Sequence, residues 1–348
     1  MNSFVFEPYP TRIVFGRGKV RTVTDEVGKL GLQRVLVIST NGRSELAEKL
    51  SASLPGSNLF AKAVVHAPAE CVADALAAAR DMDADGMISV GGGSPIGIAK
   101  AVAIERPVPI LAVPTTYSGS EMTPAWSVTK DGTKKGGKSR EVVPRTVVYD
   151  PDLTDGMPRS TAVTSTINAM AHCCEALYPE DQSPLVTTIA EEGLRRLAGG
   201  IRSTGAYEGD GGADLLYGAH LAGLVMAHSG MAVHHKLCHV LGGTFGLPHS
   251  ETHTVMLPHA IGYNADAAPE AMRRIANAIG TEKAAAGLWD LADACDAPMT
   301  LTQFGFDPAD IDEAADLVLA APYPNPRPME RDAIVSVLRD ACVGRRPQ

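Results

Sequence analysis

Gly86-Met-Ile-Ser-Val-Gly-Gly-Gly-Ser-Pro-Ile-Gly97 opens as an apolar run, passes through three glycines, and leaves through Ser94 and Pro95 into an alanine-bearing segment ending near Ile104. Strand, tight turn and helix in that order form half of a parallel βαβ unit. Ser94 is placed to cap the helix and Pro95 to take its first position. Glycines at such a turn let backbone approach an anion, and the free N–H groups of the helix start point at it. The stretch predicts a diphosphate cradle made by Gly92, Gly93 and Ser94. A glycine triplet alone is also compatible with a turn that holds nothing.

The same alternation extends in both directions from this turn. Arg34 to Ser39, Lys62 to Val65 and Val108 to Val113 read as strands, while Glu45 to Leu54 and Glu70 to Asp81 read as helices. The strands are almost wholly apolar, which fits a parallel sheet buried on both faces. A second loop, Pro114-Thr-Thr-Tyr-Ser-Gly-Ser-Glu121, also follows an apolar strand. It offers Thr115, Thr116 and Ser118 as further cofactor contacts, because ligands of open α/β sheets bind at the carboxyl ends of the strands. No GxGxxG fingerprint is present, so an ordinary Rossmann assignment fails and a relative with different loop chemistry is required. After the strand ending at Ser39 come Thr40 and Asn41. An acidic residue there would hold the ribose 2′-hydroxyl and repel a 2′-phosphate; these two neutral residues leave both NADH and NADPH acceptable.

Beyond Asp150 the β-branched clusters thin out and helical periodicity takes over, in Thr187 to Ala198, Ala213 to Val240, Pro269 to Ile279, Glu282 to Ala294 and Pro308 to Ala321. The expected organisation is an α/β dinucleotide-binding domain over 1–155 and a helical catalytic domain over 156–348, and 348 residues exceed what one core usually holds. The formal charge of −9 argues against nucleic acid as a partner. Six cysteines form no CxxC pair, the N-terminus carries no basic-then-apolar leader, and no apolar run approaches the roughly 20 residues of a membrane span. These features predict a cytoplasmic protein acting on a small molecule.

Seven of the ten histidines lie between 228 and 259. In Val233-His-His-Lys-Leu-Cys-His239, His235 and His239 are four apart and share a helix face, with His228 seven before His235 on that same face. Asn168 and His172 form another pair four apart, and His249 follows in Leu247-Pro-His249. Imidazoles at that density suit proton transfer near neutral pH or metal ligation. Cys173, Cys174 and Cys238 sit in helical stretches and read as small buried apolar residues.

Phe15-Gly-Arg-Gly18, Gly91-Gly-Gly-Ser94, Pro114-Thr-Thr with Gly119-Ser-Glu121, Asp150-Pro-Asp-Leu153 and the His235/His239/His249 set resemble the iron-containing alcohol dehydrogenase superfamily over nearly the whole chain. Within it, Thr115 to Pro124, Asn168-Ala-Met-Ala-His172, His234 to Gly243 and Leu257-Pro-His259 look specifically like the maleylacetate reductases. That resemblance implies a Rossmann-like α/β domain joined to an all-α domain, a homodimer, and NADH- or NADPH-dependent reduction of maleylacetate to 3-oxoadipate in aromatic degradation. In the metal-dependent relatives the position of Asn168 is an aspartate that joins histidines matching His172, His235 and His249 around an ion. An amide in place of the anionic ligand is a weaker partner for a transition metal, so no required metal is expected.

The substrate that the resemblance implies is an enone with two carboxylates, and its reduction passes through an enolate that needs a counter-charge and then a proton. The expected catalytic set is His239, Lys236, His235, His172, His249, Tyr117 and Asn168, with histidines free to protonate. Lys134-Lys-Gly-Gly-Lys138 reads first as a solvated hairpin turn, although the superfamily places a cofactor-contacting lysine near Lys135. Three rival readings stand beside this one: a metal-dependent alcohol dehydrogenase, a lyase of the dehydroquinate synthase type using NAD transiently, and a non-enzymatic dinucleotide sensor. The last leaves the histidine cluster without a purpose.

Overall fold

The computed structural model describes residues 3–131, 133–179, 182–203 and 211–348. The chain divides into two compact units, Glu7–Gly156 and a second that joins Met1–Phe6 to Met157–Gln348.

The first unit is built on six parallel strands: β1 (Arg12–Phe15), β2 (Val35–Ser39), β3 (Asn58–Phe60), β4 (Gly86–Gly91), β5 (Ile110–Pro114) and β8 (Thr146–Tyr149), in the order β1-β8-β5-β4-β2-β3. Helices α1 (Val23–Lys29), α2 (Ser44–Ala52), α3 (Ala69–Asp81) and α4 (Gly93–Glu105) connect them. Every residue of β2, β4, β5 and β8 is buried, as expected where helices cover both faces of a sheet. Val35, Val37, Ile88, Val90, Leu111 and Val113 form the core of one face with Val23, Val27, Ala47 and Leu50 of the covering helices.

From β2 the chain moves outward to β3 at one edge, then returns to the other side of β2 for β4. The winding reverses between β2 and β4, and the crevice at such a switch point is where open α/β sheets bind ligands. Thr40 and Gly92, just past the carboxyl ends of these two strands, flank it.

Two sequence expectations are corrected here. The edge strand is Asn58–Phe60 rather than 62–65: Leu59 and Phe60 pair with Val37 and Ile38, whereas Val64 and Val65 are exposed. Lys134 to Lys138 is not a turn but most of a strand, β7 (Thr133–Lys138), paired antiparallel with β6 (Ala125–Lys130) in a separate ribbon. Gly136 and Gly137 lie opposite Ser127 and Trp126, so turn-like composition here serves close strand packing.

The second unit is helical: α5 (Arg159–Glu175), α6 (Pro184–Ser203), α7 (Gly211–His228), α8 (Val233–Phe245), α9 (His249–Tyr263), α10 (Pro269–Ile279), α11 (Ala284–Ala294), α12 (Ile311–Ala320) and α13 (Arg331–Val343). Leu237, Leu241, Met256, Ala260, Ala315, Val318, Ile334 and Leu338 pack α8, α9, α12 and α13 into one core. The sequence reads Ala213 to Val240 as one helix, but the chain breaks after His228 and restarts at Val233. His228 therefore does not share a helix face with His235; its Nδ1 lies 2.9 Å from the Leu224 carbonyl oxygen, and its ring packs against Phe6. Cys173, Cys174 and Cys238 are buried free thiols. Among the described residues no helix is long and apolar enough to cross a membrane.

Candidate active site

Two groups of residues carry chemistry, one in each unit. In the sheet unit the turn after β4 begins at Gly91, whose φ of 140° favours glycine. Gly92 occupies the N-cap position of α4 and, as a glycine, brings no side-chain cap of its own. Ser94 thus stands in the first turn rather than at the cap, which corrects the sequence expectation and leaves the helix-start N–H groups for a ligand.

A Cβ at Gly92 would lie 2.6 Å from Thr116 Oγ1, so the glycine turn and the hydroxyl loop after β5 meet there. At Gly93 the nearest outside atom would be Ser118 Cβ, at 4.0 Å. Thr115 N–H donates to the Gly91 carbonyl at 3.1 Å and completes the junction. Gly92, Gly93, Ser94, Thr115, Thr116 and Ser118 are in this way brought together. Thr40 extends β2 beside them and Asn41 is exposed. Tyr117 is buried, and Lys135 is exposed on β7.

Beneath the hydroxyl loop lies a polar network that the sequence analysis missed. Lys100, fully buried in α4, donates from Nζ to the carbonyl oxygens of Ser120 and Thr123 at 2.6 Å each, and to that of Ala125 at 3.1 Å. Its fourth contact is Thr123 Oγ1 at 3.0 Å. Burial pulls this ammonium down to about 7, against the upward pull of the Glu121 carboxylate. Glu121 is itself buried, accepting from Tyr149 OH at 2.7 Å and Ser118 Oγ at 3.3 Å. A lysine in an otherwise apolar helix was the available signal.

In the helical unit, Glu175 at the end of α5 organises the start of α8. Its carboxylate accepts from the backbone N–H groups of Ala232 and His234, both at 2.8 Å, and caps the α8 N-terminus from another helix. Its Oε2 also takes His235 Nδ1–H at 2.5 Å. Burial pushes the Glu175 carboxyl upward, but the His235 and His234 imidazoles and these N–H donors more than offset it and hold it below its ordinary range. A carboxylate on Nδ1 fixes the tautomer of His235, leaving the Nε2 lone pair free. That Nε2 is buried without a partner, and so is Asn168 Oδ1.

The rings of His172 and His235 are 4.5 Å apart. His172 keeps part of its surface, yet burial first, then the neighbouring imidazoles, hold its pKa well below the ordinary value. It is a neutral lone-pair donor at neutral pH, contrary to the expectation that it protonates. His249, the first residue of α9, is exposed, with its ring 4.4 Å from that of His253. His253 is a residue the sequence reading passed over: fully buried, its Nδ1 lies 2.9 Å from His234 Nε2. His234, Cys238 and His253 place three possible ligand atoms within 4.8 Å of one another.

His239 and Lys236 lie on a more open side of α8. His239 Nδ1 is 3.0 Å from Tyr323 OH, and the Lys236 ammonium stands 5.8 Å from the Tyr323 ring centroid. Tyr323 comes from the proline-rich 321–328 segment and was also missed, because nothing in a loop's composition says which helix it covers.

The chain matches the family model "Iron-containing alcohol dehydrogenase" over residues 10–151 and "Fe-containing alcohol dehydrogenase family, C-terminal" over 162–342. It is 45% identical over 350 residues to the maleylacetate reductase of Pseudomonas sp. strain P51, covering 99% of each chain. It is 46% identical over 349 residues to that of Sphingobium indicum, again covering 99% of each. The crystal structure of maleylacetate reductase from Agrobacterium tumefaciens superimposes with a TM-score of 0.96 at 41% identity, covering 100% of both chains.

These matches overturn one expectation. The family to which both models belong is named for iron, so the inference from Asn168 that no metal is required is withdrawn. The geometry fits that correction: two buried donor atoms without partners, on Asn168 and His235, accompany neutral His172, and a carboxylate orients His235 from behind.

Proposed function

The chain belongs to the iron-containing alcohol dehydrogenase family, and from that premise we propose that it uses NADH or NADPH to reduce the carbon-carbon double bond of maleylacetate, giving 3-oxoadipate in aromatic degradation. The observation that carries this reading is the end-to-end identity of 45% to a maleylacetate reductase. The physical support is a neutral anion cradle in one unit and an imidazole-rich, lysine-bearing helix in the other.

The turn at Gly92 and Gly93 and the hydroxyls of Thr115, Thr116 and Ser118 hold the dinucleotide diphosphate, and Thr40 lies at its ribose. When bound, the dinucleotide supplies hydride to the carbon β to the ketone. Lys236 binds a substrate carboxylate and lends positive charge as the ketone oxygen becomes an enolate. His239, steadied by Tyr323, delivers the proton to the carbon α to the ketone, so hydride and proton together saturate the double bond. His172, His235 and His249 with Asn168 Oδ1 would hold a metal ion, which would supply Lewis-acid polarisation of a substrate oxygen. The enzyme works in the cytoplasm as a homodimer, as the resemblance implies.

The test is loss of NADH absorbance with maleylacetate in the presence of Fe²⁺, with 3-oxoadipate identified as product. Turnover of simple alcohols with NAD⁺ and indifference to maleylacetate would move the enzyme to the alcohol dehydrogenase reading. Product formation with no net NADH consumption would favour the lyase.

A further inference from the structure

The Lys100 ammonium gathers the carbonyl oxygens of Ser120, Thr123 and Ala125 and the Thr123 hydroxyl around one point. Three carbonyl dipoles aimed at a common centre repel one another unless a cation occupies it, so the path of the chain from 120 to 125 depends on this side chain. An apolar residue could fill the volume without the several kcal/mol that burying an ammonium costs. On the other side of the same turn, Glu121 accepts from Ser118 Oγ and Tyr149 OH, and the Ser120 N–H donates to Ser118 Oγ at 3.3 Å. Gly119, at a φ of 69°, makes the bend between them. The loop is thus pinned from below at residues 120–125 and from within at Ser118. Those pins decide where Thr116 and Ser118 stand relative to Gly92 and Gly93.

We propose that Lys100 is a positioning residue for dinucleotide binding, clamping the 115–125 loop so that its hydroxyls and the glycine turn form a single diphosphate site. It never touches the cofactor; it acts through Ser120, Thr123 and Ala125. The proposal rests on the reading that these two loops hold the dinucleotide.

Lys100→Met should raise the NADH dissociation constant by about 10-fold, with KM for NADH following and kcat at saturating NADH within about 2-fold of wild type. Hydrogen exchange of the amides from 118 to 124 should quicken while β4 and β5 keep their protection. Should Lys100→Met not fold, Thr123→Val removes one contact of the ammonium together with the bond the Thr123 hydroxyl donates to the Ser120 carbonyl at 3.1 Å, and should cost about 5-fold or more in NADH affinity, the size of one to two lost hydrogen bonds. Gly92→Ala separates this proposal from its premise. If Gly92→Ala weakens NADH binding while folded Lys100→Met, or Thr123→Val in its place, binds as wild type does, Lys100 has no positioning role. If all of them bind NADH unchanged, the loops are not the cofactor site and the premise fails with the proposal.

Discussion

In the sheet unit the candidate site is mostly backbone, glycines and helix-start N–H groups with short hydroxyl side chains beside them, set by the register of β4 and β5. In the helical unit it is made of side chains, held by a carboxylate from α5, a neighbouring imidazole on α8 and a phenol from the 321–328 segment. The difference suits the two tasks proposed for them. A diphosphate is large, permanently charged and the same in every turnover, so rigid main-chain dipoles suffice. An enone that becomes an enolate changes its charge during reaction, and only titratable or lone-pair groups can follow that change. Substitutions should therefore fail differently: in the sheet unit through cofactor affinity, in the helical unit through turnover.

The largest expected effect lies in the helical unit. His239→Ala or Lys236→Ala should lower kcat by about 100-fold or more, the usual size of a lost proton donor or enolate counter-charge. NADH affinity, measured by fluorescence titration, should be unchanged. A variant that loses NADH binding in parallel with turnover would break the division of labour.

The reciprocal test lies at the glycine turn. Gly92→Ala forces a Cβ to within 2.6 Å of Thr116 Oγ1, and should raise KM for NADH by roughly 10- to 100-fold with a smaller change in kcat. Gly97→Ala is the control, because a Cβ there meets nothing within 4 Å. Steady-state kinetics on the pair should show a cofactor defect in the first alone.

The sheet unit was the more legible of the two in sequence. A wholly apolar run such as Val35 to Ser39 or Gly86 to Gly91 has few places to go except the middle of a parallel sheet, and the glycines follow directly. The edge was less so: Val64 and Val65 have strand-forming side chains, yet the hydrogen bonds of β2 go to Asn58, Leu59 and Phe60. In the helical unit the histidines themselves were legible and their partners were not. Glu175 lies 60 residues from His235, and Tyr323 lies 84 from His239; helical periodicity reports a face, not what covers it. The break between His228 and Val233 was likewise hidden, because apolar residues continue on both sides of Ser229 and Gly230. Asn168 misled differently. Counting ligands by residue type missed that Glu175 brings a negative charge to the site through His235.

A smaller effect tests the ribose end of the cradle. Thr40→Asp sets a carboxylate beside the proposed position of a 2′-phosphate, and a pair of like unit charges near 4 Å in water repels by about 1 kcal/mol, counted once for each unit of phosphate charge. The NADH-to-NADPH ratio of kcat/KM should rise about 10-fold, with NADH itself little affected. Wild-type protein that already rejects NADPH would show that a group other than the residues after β2 makes the choice.

The smallest effect compares the two units as folded bodies rather than as sites. Buried histidines are concentrated in the helical unit: burial pulls His234 down to about 3 and His259 to about 4, the latter against an upward pull from Asp340. The histidine of the sheet unit, His66, is exposed. A neutral buried imidazole binds no proton in the folded state until pH approaches its lowered value, while the unfolded chain takes one up near pH 6.5. Its stabilising contribution is therefore complete above about 6.5 and is lost as pH falls from there towards about 4. One unit into that window, His259 alone should cost the fold on the order of 1 kcal/mol, equivalent to about 2 °C in Tm for a unit of this size. His259→Leu removes the proton site and should flatten the decline of Tm between pH 7 and 5.5 by that amount, with hydrogen exchange at pH 5.5 opening α9 before β4 and β5. Equal acid sensitivity in both units, or a pH profile untouched by His259→Leu, would mean that the buried imidazoles do not set the acid limit of the helical unit.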